Sequence, residues 1–295
     1  MNLIKEEFTQ RRKGAEARKF SKRKIFDSFL YGIMAVAMAG VIAALAFVII
    51  YIFKSQAGFL NWGFLTNAET GILPMIVTTL YVVLVSIAVA LPVGLATAIF
   101  LNEYSGNSSF IRILRLAIET LAGIPSIIYG LFGLLVFCRF LNFGQSIIAG
   151  SLTLSIMILP VIIRTTEESL KSIPDSFREG SLALGATKFQ TTIHVVLPSA
   201  LPGILTSVIL AIGRVVGESA PVLLTVGLTK NMPRTIFESG RTLTIHLYYL
   251  TNEAVRPEDF GIAFATASVL VILVVVINTA TKVLTGNFRK KLGDV

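Results

Sequence analysis

Residues 167–203 read EESLKSIPDSFREGSLALGATKFQTTIHVVLPSALPG, a charged stretch set between two long apolar ones. Pro174 and Asp175 mark a helix start, because proline fits the first turn and an acid there complements the helix dipole. From Ser176 onward, Phe177, Leu182 and Leu184 share the run with Arg178, Glu179 and Ser181. Gly185 then ends it, as glycine does just past a helix end. The pattern predicts a helix of about two to three turns, polar enough to stay in water and apolar enough to need a partner. A plain connecting loop requires neither the helix nor the stop. The same pattern also fits an amphipathic helix lying on a membrane surface.

The flanking sequence sets the class. Crossing ~30 Å of hydrocarbon takes roughly 20 apolar residues in a helix. Six stretches qualify, 26–53, 72–101, 121–140, 146–163, 200–226 and 260–284, which predicts an all-α membrane protein with about six transmembrane helices. Hydrophobic residues fill 54% of the 295 positions and charged residues 15%, with a mean hydropathy of +0.77. A soluble domain of this length needs a more polar surface than these residues supply. The first stretch is too long for the apolar part of a signal peptide and lacks an obvious cleavage site, so it is expected to be retained.

The net charge of +9 could indicate nucleic acid, but the basic residues stand beside the apolar stretches. Nine fall in the first 24 residues: Lys5, Arg11, Arg12, Lys13, Arg18, Lys19, Lys22, Arg23 and Lys24. With six spans, Arg112, Arg115, Arg164, Lys171, Arg178, Lys188, Lys282, Arg289, Lys290 and Lys291 share their side, nineteen cations in all. Lys54, Arg139, Lys230, Arg234, Arg241 and Arg256 face the other way. An excess of basic residues marks cytoplasmic loops, so both termini are expected in the cytoplasm, with the basic run as an orienting anchor beside lipid and no nucleic-acid partner.

Pro74, Pro92, Pro125, Pro160 and Pro221 are expected inside the spans as kinks, tolerated where neighbouring helices or a wet cavity satisfy the freed backbone. No inverted repeat relates the two halves, which disfavours an ion-coupled secondary transporter. Cys138, the only cysteine, reads as a packing residue. Trp62, Tyr248 and Tyr249 suit an interfacial belt.

The charged pair set deepest in an apolar stretch is Arg214 and Glu218, in the run GRVVGESAP at 213–221. At 1.5 Å per residue Arg214 is ~21 Å from Ala200, near mid-membrane, where an arginine costs on the order of 2.5–3.5 kcal/mol without a partner or water. Glu218 follows at i+4, on the same helix face. Gly213 and Gly217 form a small-xxx-small pair that would let another helix come close. The pair is either a structural lock or a guanidinium facing a transport path, offered to an oxyanion and restrained by Glu218 when empty.

Two resemblances bear on this choice. Glu179-Gly180-Ser181, three residues and Gly185, then nine residues to Val195-Val196-Leu197-Pro198, resembles the EAA motif of ABC importer permeases. Gly180 and Ser181 depart from its alanines but remain small, and Val195 stands in an isoleucine place. That resemblance implies a type I ABC importer (MetI-like) permease fold, with 168–199 as a cytoplasmic coupling segment that docks in a groove of an ATPase subunit. Glu179, Gly180, Ser181, Gly185, Leu197 and Pro198 would be its coupling residues. The runs AGIPSIIYGLFGL (122–134), LPVIIRTTEESLKSIPDSFREGSLALGAT (159–187) and GRVVGESAPVLLT (213–225) are similar to phosphate permeases, a likeness covering about 72–286. It implies a subunit of an ATP-driven inorganic phosphate importer, paired with a sister permease, an ATPase dimer and a phosphate-binding protein, with Arg214 and Glu218 on the substrate path. The domains are then a basic segment 1–24, a transmembrane permease domain 25–288 and a tail 289–295.

Other oxyanions (sulfate, molybdate, phosphonate) remain open within this class, and a secondary transporter with Glu218 as its proton site remains open outside it. The sequence contains no G-x-x-x-x-G-K-[ST] to cradle ATP. It has no nucleophile–base constellation either, so an enzyme is not expected and ATP hydrolysis falls to a partner. His194 and His246 are separated by 52 positions with no metal-ligand spacing, so neither a metal nor another cofactor is expected.

Overall fold

Long apolar runs free of charge have one outcome in lipid, because every backbone group must be satisfied within its own segment. All regular structure among the described residues is helical. The computed structural model describes residues 2–56, 58–68, 71–106, 108–254 and 257–291, with backbone only for 2–26, 257–258, 284–285 and 287–291. The cations of the 1–24 run, Arg256, and Arg289, Lys290 and Lys291 lie outside the residues whose side chains are described.

The chain forms two units, 1–55 and 56–295. The first is α1 (Asn2–Ser55), whose apolar part, Asp27–Ser55, matches the expected first span. In the second, α2 (Trp62–Thr66) precedes α3 (Leu73–Ile99), which a π turn extends through Phe100–Tyr104. Then come α4 (Ser109–Ala122) and α5 (Ser126–Gly133), the latter prolonged by a π stretch at Leu134–Phe140, and α6 (Ile147–Lys171). The charged stretch holds α7 (Asp175–Ala183) and α8 (Lys188–Thr191), and a π stretch at Thr192–Val196 leads into α9 (Leu197–Gly217). The chain closes with α10 (Ala220–Thr225), α11 (Leu243–Glu253) and α12 (Pro257–Lys291).

Among the described residues, five rods are long and apolar enough to cross a membrane, and α4 with the extended α5 gives a sixth only as a pair bent by 99°. The expected third span, 121–140, is therefore corrected. The helix stops at Gly123 and restarts after Pro125, which has no N–H and disfavours helical backbone at Ile124. The expected fifth span, 200–226, is corrected at both ends. Its rod starts at Lys188, twelve residues earlier than expected, and breaks at Glu218, whose ψ of 133° is extended. The π stretch before Pro198 has a local cause: without a proline N–H the ladder widens, and Leu197 bonds back to Thr192. Pro74, Pro125 and Pro221 stand at helix starts, and only Pro92 and Pro160 of the five expected kinks lie inside a helix, joined by Pro202.

The core lies where α3, α6 and α9 meet, from Val82, Val83 and Ala90 through Leu154, Met157 and Ile158 to Val208, Ala211 and Ile212. Serine hydroxyls join α3 to α6: Ser86 donates to the Ser151 carbonyl at 3.2 Å and Ser155 to that of Ser86 at 3.0 Å. Small polar residues of this kind let apolar helices approach closely. Cys138 is buried, as expected of a packing residue.

This packing gives the second unit two ends. One holds the ends of α3 and α6 with α4, α7 and α8. The other holds the start of α6, the end of α9, α10 and the 226–242 loop: Ile147 N–H bonds the Glu238 carbonyl and Ile148 N–H that of Ile236. Two of the free amides that open α6 are thus satisfied by the loop.

Candidate functional site

At the α7 end, the predicted short helix forms where the sequence placed it, with Pro174 as its N-cap and Asp175 in its first turn. Gly185 closes it with φ +88°, a left-handed backbone that glycine adopts without strain. Its N–H bonds the Leu182 carbonyl at 2.9 Å and the Ala186 N–H bonds that of Ser181 at 3.3 Å, the paired closure of a Schellman motif. No residue of α7 is buried, and Leu184 beside it is 91% exposed. Glu179 and Gly180 face outward, while Ser181 is half-buried with its Oγ 2.9 Å from Thr191 Oγ1, which ties α7 to the next turn of chain. Leu197 and Pro198 begin α9.

Arg178 fixes this helix to the bundle. Its guanidinium bonds Glu103 at 2.9 Å through Nη2 and 3.3 Å through Nε, and the carbonyls of Leu170 and Ile173 at 2.9 Å. Asp175 adds an exposed contact at 3.1 Å. The Glu103 side chain is only 7% exposed, and bonding to it raises the Arg178 pKa still further. Nearby, Glu167 Oε1 lies 3.0 Å from Arg115 and 2.8 Å from Lys171, and Glu119 lies 3.2 Å from Arg164. These five and Glu168 line a cavity of about 270 Å³ in which three cations face three carboxylates. The sequence reading missed Glu103 and Glu167 as partners, because neither Arg178–Glu103 nor Arg115–Glu167 is local in the chain.

At the other end, Arg214 and Glu218 stand together, with Arg214 Nε 3.6 Å from Glu218 Oε1 and side chains 32% and 17% exposed. Arg214 lies in the last turn of α9, ~39 Å along the rod from Lys188, where its charge also meets the helix C-terminus favourably. A Cβ on Gly213 or Gly217 would meet nothing within 4 Å among the described residues, so their faces are open there. Two of the quoted runs do meet. A Cβ on Gly130 would come within 2.9 Å of Pro221 Cα, so α5 rests against the start of α10 through a bare backbone.

The 226–242 loop is anchored here too. Gly240 N–H bonds the Val226 carbonyl, Leu243 N–H bonds Thr79 Oγ1 at 3.0 Å, and Thr244 Oγ1 donates to the Val216 carbonyl at 2.7 Å. His246 is buried on α11, its pKa pushed down to about 4 by burial and by the charges of Arg241 and Lys230. His194 is exposed in the π stretch. Among the described residues no cluster of three or more His, Cys, Asp or Glu could hold a metal ion.

A rod bundle with an exposed, capped helix at one end and a half-buried ion pair at the other is an importer-permease architecture. Residues 90–293 match the family of binding-protein-dependent transport system inner membrane components. The chain belongs to this family and is a multi-pass inner-membrane permease. It is 34% identical over 289 residues to the probable ABC transporter permease protein YqgI of Bacillus subtilis (strain 168), covering 92% of this chain and 98% of that one. It is also 34% identical over 268 residues to the phosphate transport system permease protein PstA of Mycobacterium leprae (strain TN), covering 87% and 86%. In fold it is similar to a chain of a bacterial alginate ABC transporter crystallised with its pentasaccharide-bound periplasmic protein, with a TM-score of 0.68 at 13% identity over 90% of this chain and 96% of that one.

Proposed function

We propose that this chain is the PstA-type permease subunit of an ATP-driven phosphate importer. The observation that carries the reading is the Arg214–Glu218 pair. A half-buried guanidinium lies 3.6 Å from a carboxylate, too long for a close bond, next to Gly213 and Gly217, whose own faces meet nothing among the described residues. A dianionic phosphate presents a better partner than one carboxylate, because the guanidinium fork matches two of its oxygens. The open Gly213–Gly217 face would be closed by a sister permease (PstC-like). Hydrolysis of ATP would belong to an ATPase dimer (PstB-like), with α7 seated in its groove through Glu179, Gly180, Ser181 and the closure at Gly185. A phosphate-binding protein (PstS-like) would deliver the anion.

The charge asymmetry supports cytoplasmic termini, including the 1–24 and 289–295 segments, with 228–258 outside. A cysteine placed at position 235 should then react only with reagent added outside.

The test is uptake of radiolabelled phosphate, sulfate and molybdate in vesicles holding the assembled complex. ATP-dependent uptake of phosphate above the other two is expected. Preference for sulfate or molybdate would reject phosphate, and uptake by the chain alone would reject the ABC class.

A further inference from the structure

The Arg214 end holds a second guanidinium that the reading above leaves without a role. Arg241 directly precedes Thr242, the N-cap of α11. It is held from two sides: its Nε donates to the Leu228 carbonyl at 3.0 Å, and its Cζ lies 4.6 Å from the ring centroid of Tyr249. Its backbone is fixed as well, because a Cβ on neighbouring Gly240 would be 2.7 Å from Thr78 and leaves no room for sliding. Both Nη groups carry no hydrogen bond, and no carboxylate lies within 4 Å, among the described residues.

Anchoring of this kind uses Nε and the ring face and leaves the outer edge of the fork free. A fixed guanidinium with two open donors binds a tetrahedral oxyanion at little ordering cost. The local field has the matching sign. Lys230 and Arg241 are both near enough to His246 to disfavour its protonation, and Glu238, the acid of this loop, is occupied with the Arg234 N–H at 2.9 Å. The link from Thr244 to the Val216 carbonyl then fixes the start of α11 beside the last turn of α9, which carries Arg214.

We propose that Arg241 is the receiving residue for the oxyanion, binding it through the Nη edge before it reaches Arg214. The proposal rests on the reading of Arg214 as part of the path and of this end as the outer one. Arg241 then takes the anion as the binding protein releases it, and a cationic mouth raises the local anion concentration.

The test uses the complete importer in proteoliposomes with its phosphate-loaded binding protein, comparing Arg241→Gln and Arg241→Lys. Loss of a charged donor pair should cut maximal phosphate uptake about tenfold in Arg241→Gln. Stimulated ATP hydrolysis and the binding-protein concentration at half-maximal rate should stay within about twofold, and Arg241→Lys, which keeps the charge but not the fork, should lose clearly less uptake than Arg241→Gln. Equal loss in both variants would overturn the proposal in favour of a loop anchor, since lysine cannot reproduce the Leu228 bond and the stack. No loss in either would overturn it outright, and a loss confined to the half-saturating concentration would make Arg241 a docking residue instead. Should the wild type carry sulfate and not phosphate, the substrate reading fails, and the same two variants measured with sulfate still decide the role of Arg241.

Discussion

The two ends of the second unit handle charge in opposite ways. Around α7, Arg178, Arg115, Lys171 and Arg164 are each within 3.2 Å of a carboxylate, and two of those carboxylates, Glu103 and Glu167, are largely buried. Around α10, Arg214 has only a 3.6 Å contact, while Lys230, Arg234 and Arg241 have no carboxylate within 4 Å among the described residues. Paired charges hold geometry, whereas unpaired cations attract anions. On the function proposed above, the first end would transmit force through a fixed helix, and the second, left positive, would receive the anion.

The largest effect should come from breaking the paired end. Arg178→Ala would leave Glu103 buried without a cation, with only the Asn102 amide at 2.7 Å for a partner, which costs on the order of 3–5 kcal/mol. Thermal unfolding in detergent should show a marked loss of stability, and co-purification of the ATPase should fall with it. An unchanged melting temperature would show that the clamp contributes nothing.

Next in size is a pH effect at the α10 end. His246 titrates near 4 in the folded protein and near its ordinary 6.5 when unfolded, so the unfolded chain binds more protons between these values. Stability should be full above about pH 6.5, fall by up to about 3 kcal/mol toward pH 4, and then flatten. His246→Gln should lose most of this slope in a pH series of melting curves, while a parallel slope in the variant would assign it to other groups.

The smallest structural effect is expected at Gly185. Arranging an alanine at φ +88° costs on the order of 1 kcal/mol, since its Cβ meets open space. Gly185→Ala should melt slightly earlier and still transport, whereas Gly185→Glu should insert normally and lose ATP-driven uptake. Equal transport by the two would separate this turn from ATPase docking.

What the sequence disclosed follows the same division. Features set by neighbouring residues were legible: the apolar rods, the helix that Gly185 stops, and the Arg214–Glu218 contact at i+4. The break between Gly123 and Pro125 was written in a Gly-Ile-Pro triplet, but the apolar window over 121–140 hid it. The break at Glu218 carries no proline at its site, and extending the apolar count to 226 passed over it. Glu103 and Arg178 meet across 75 positions, so only the packing of α3, α6 and α9 reveals that bond. Arg241 reads as one more loop cation until Leu228 and Tyr249 are seen to hold it.

The central claim is that the unpaired end handles the anion, and Arg214 tests it most directly. In Arg214→Gln alone, Glu218 loses its cation. The double variant Arg214→Gln with Glu218→Gln leaves neither charge alone, so the complex should assemble and still show stimulated ATP hydrolysis. Its uptake of radiolabelled phosphate should collapse, and uptake near the wild-type rate would contradict the account by reducing the pair to a structural lock.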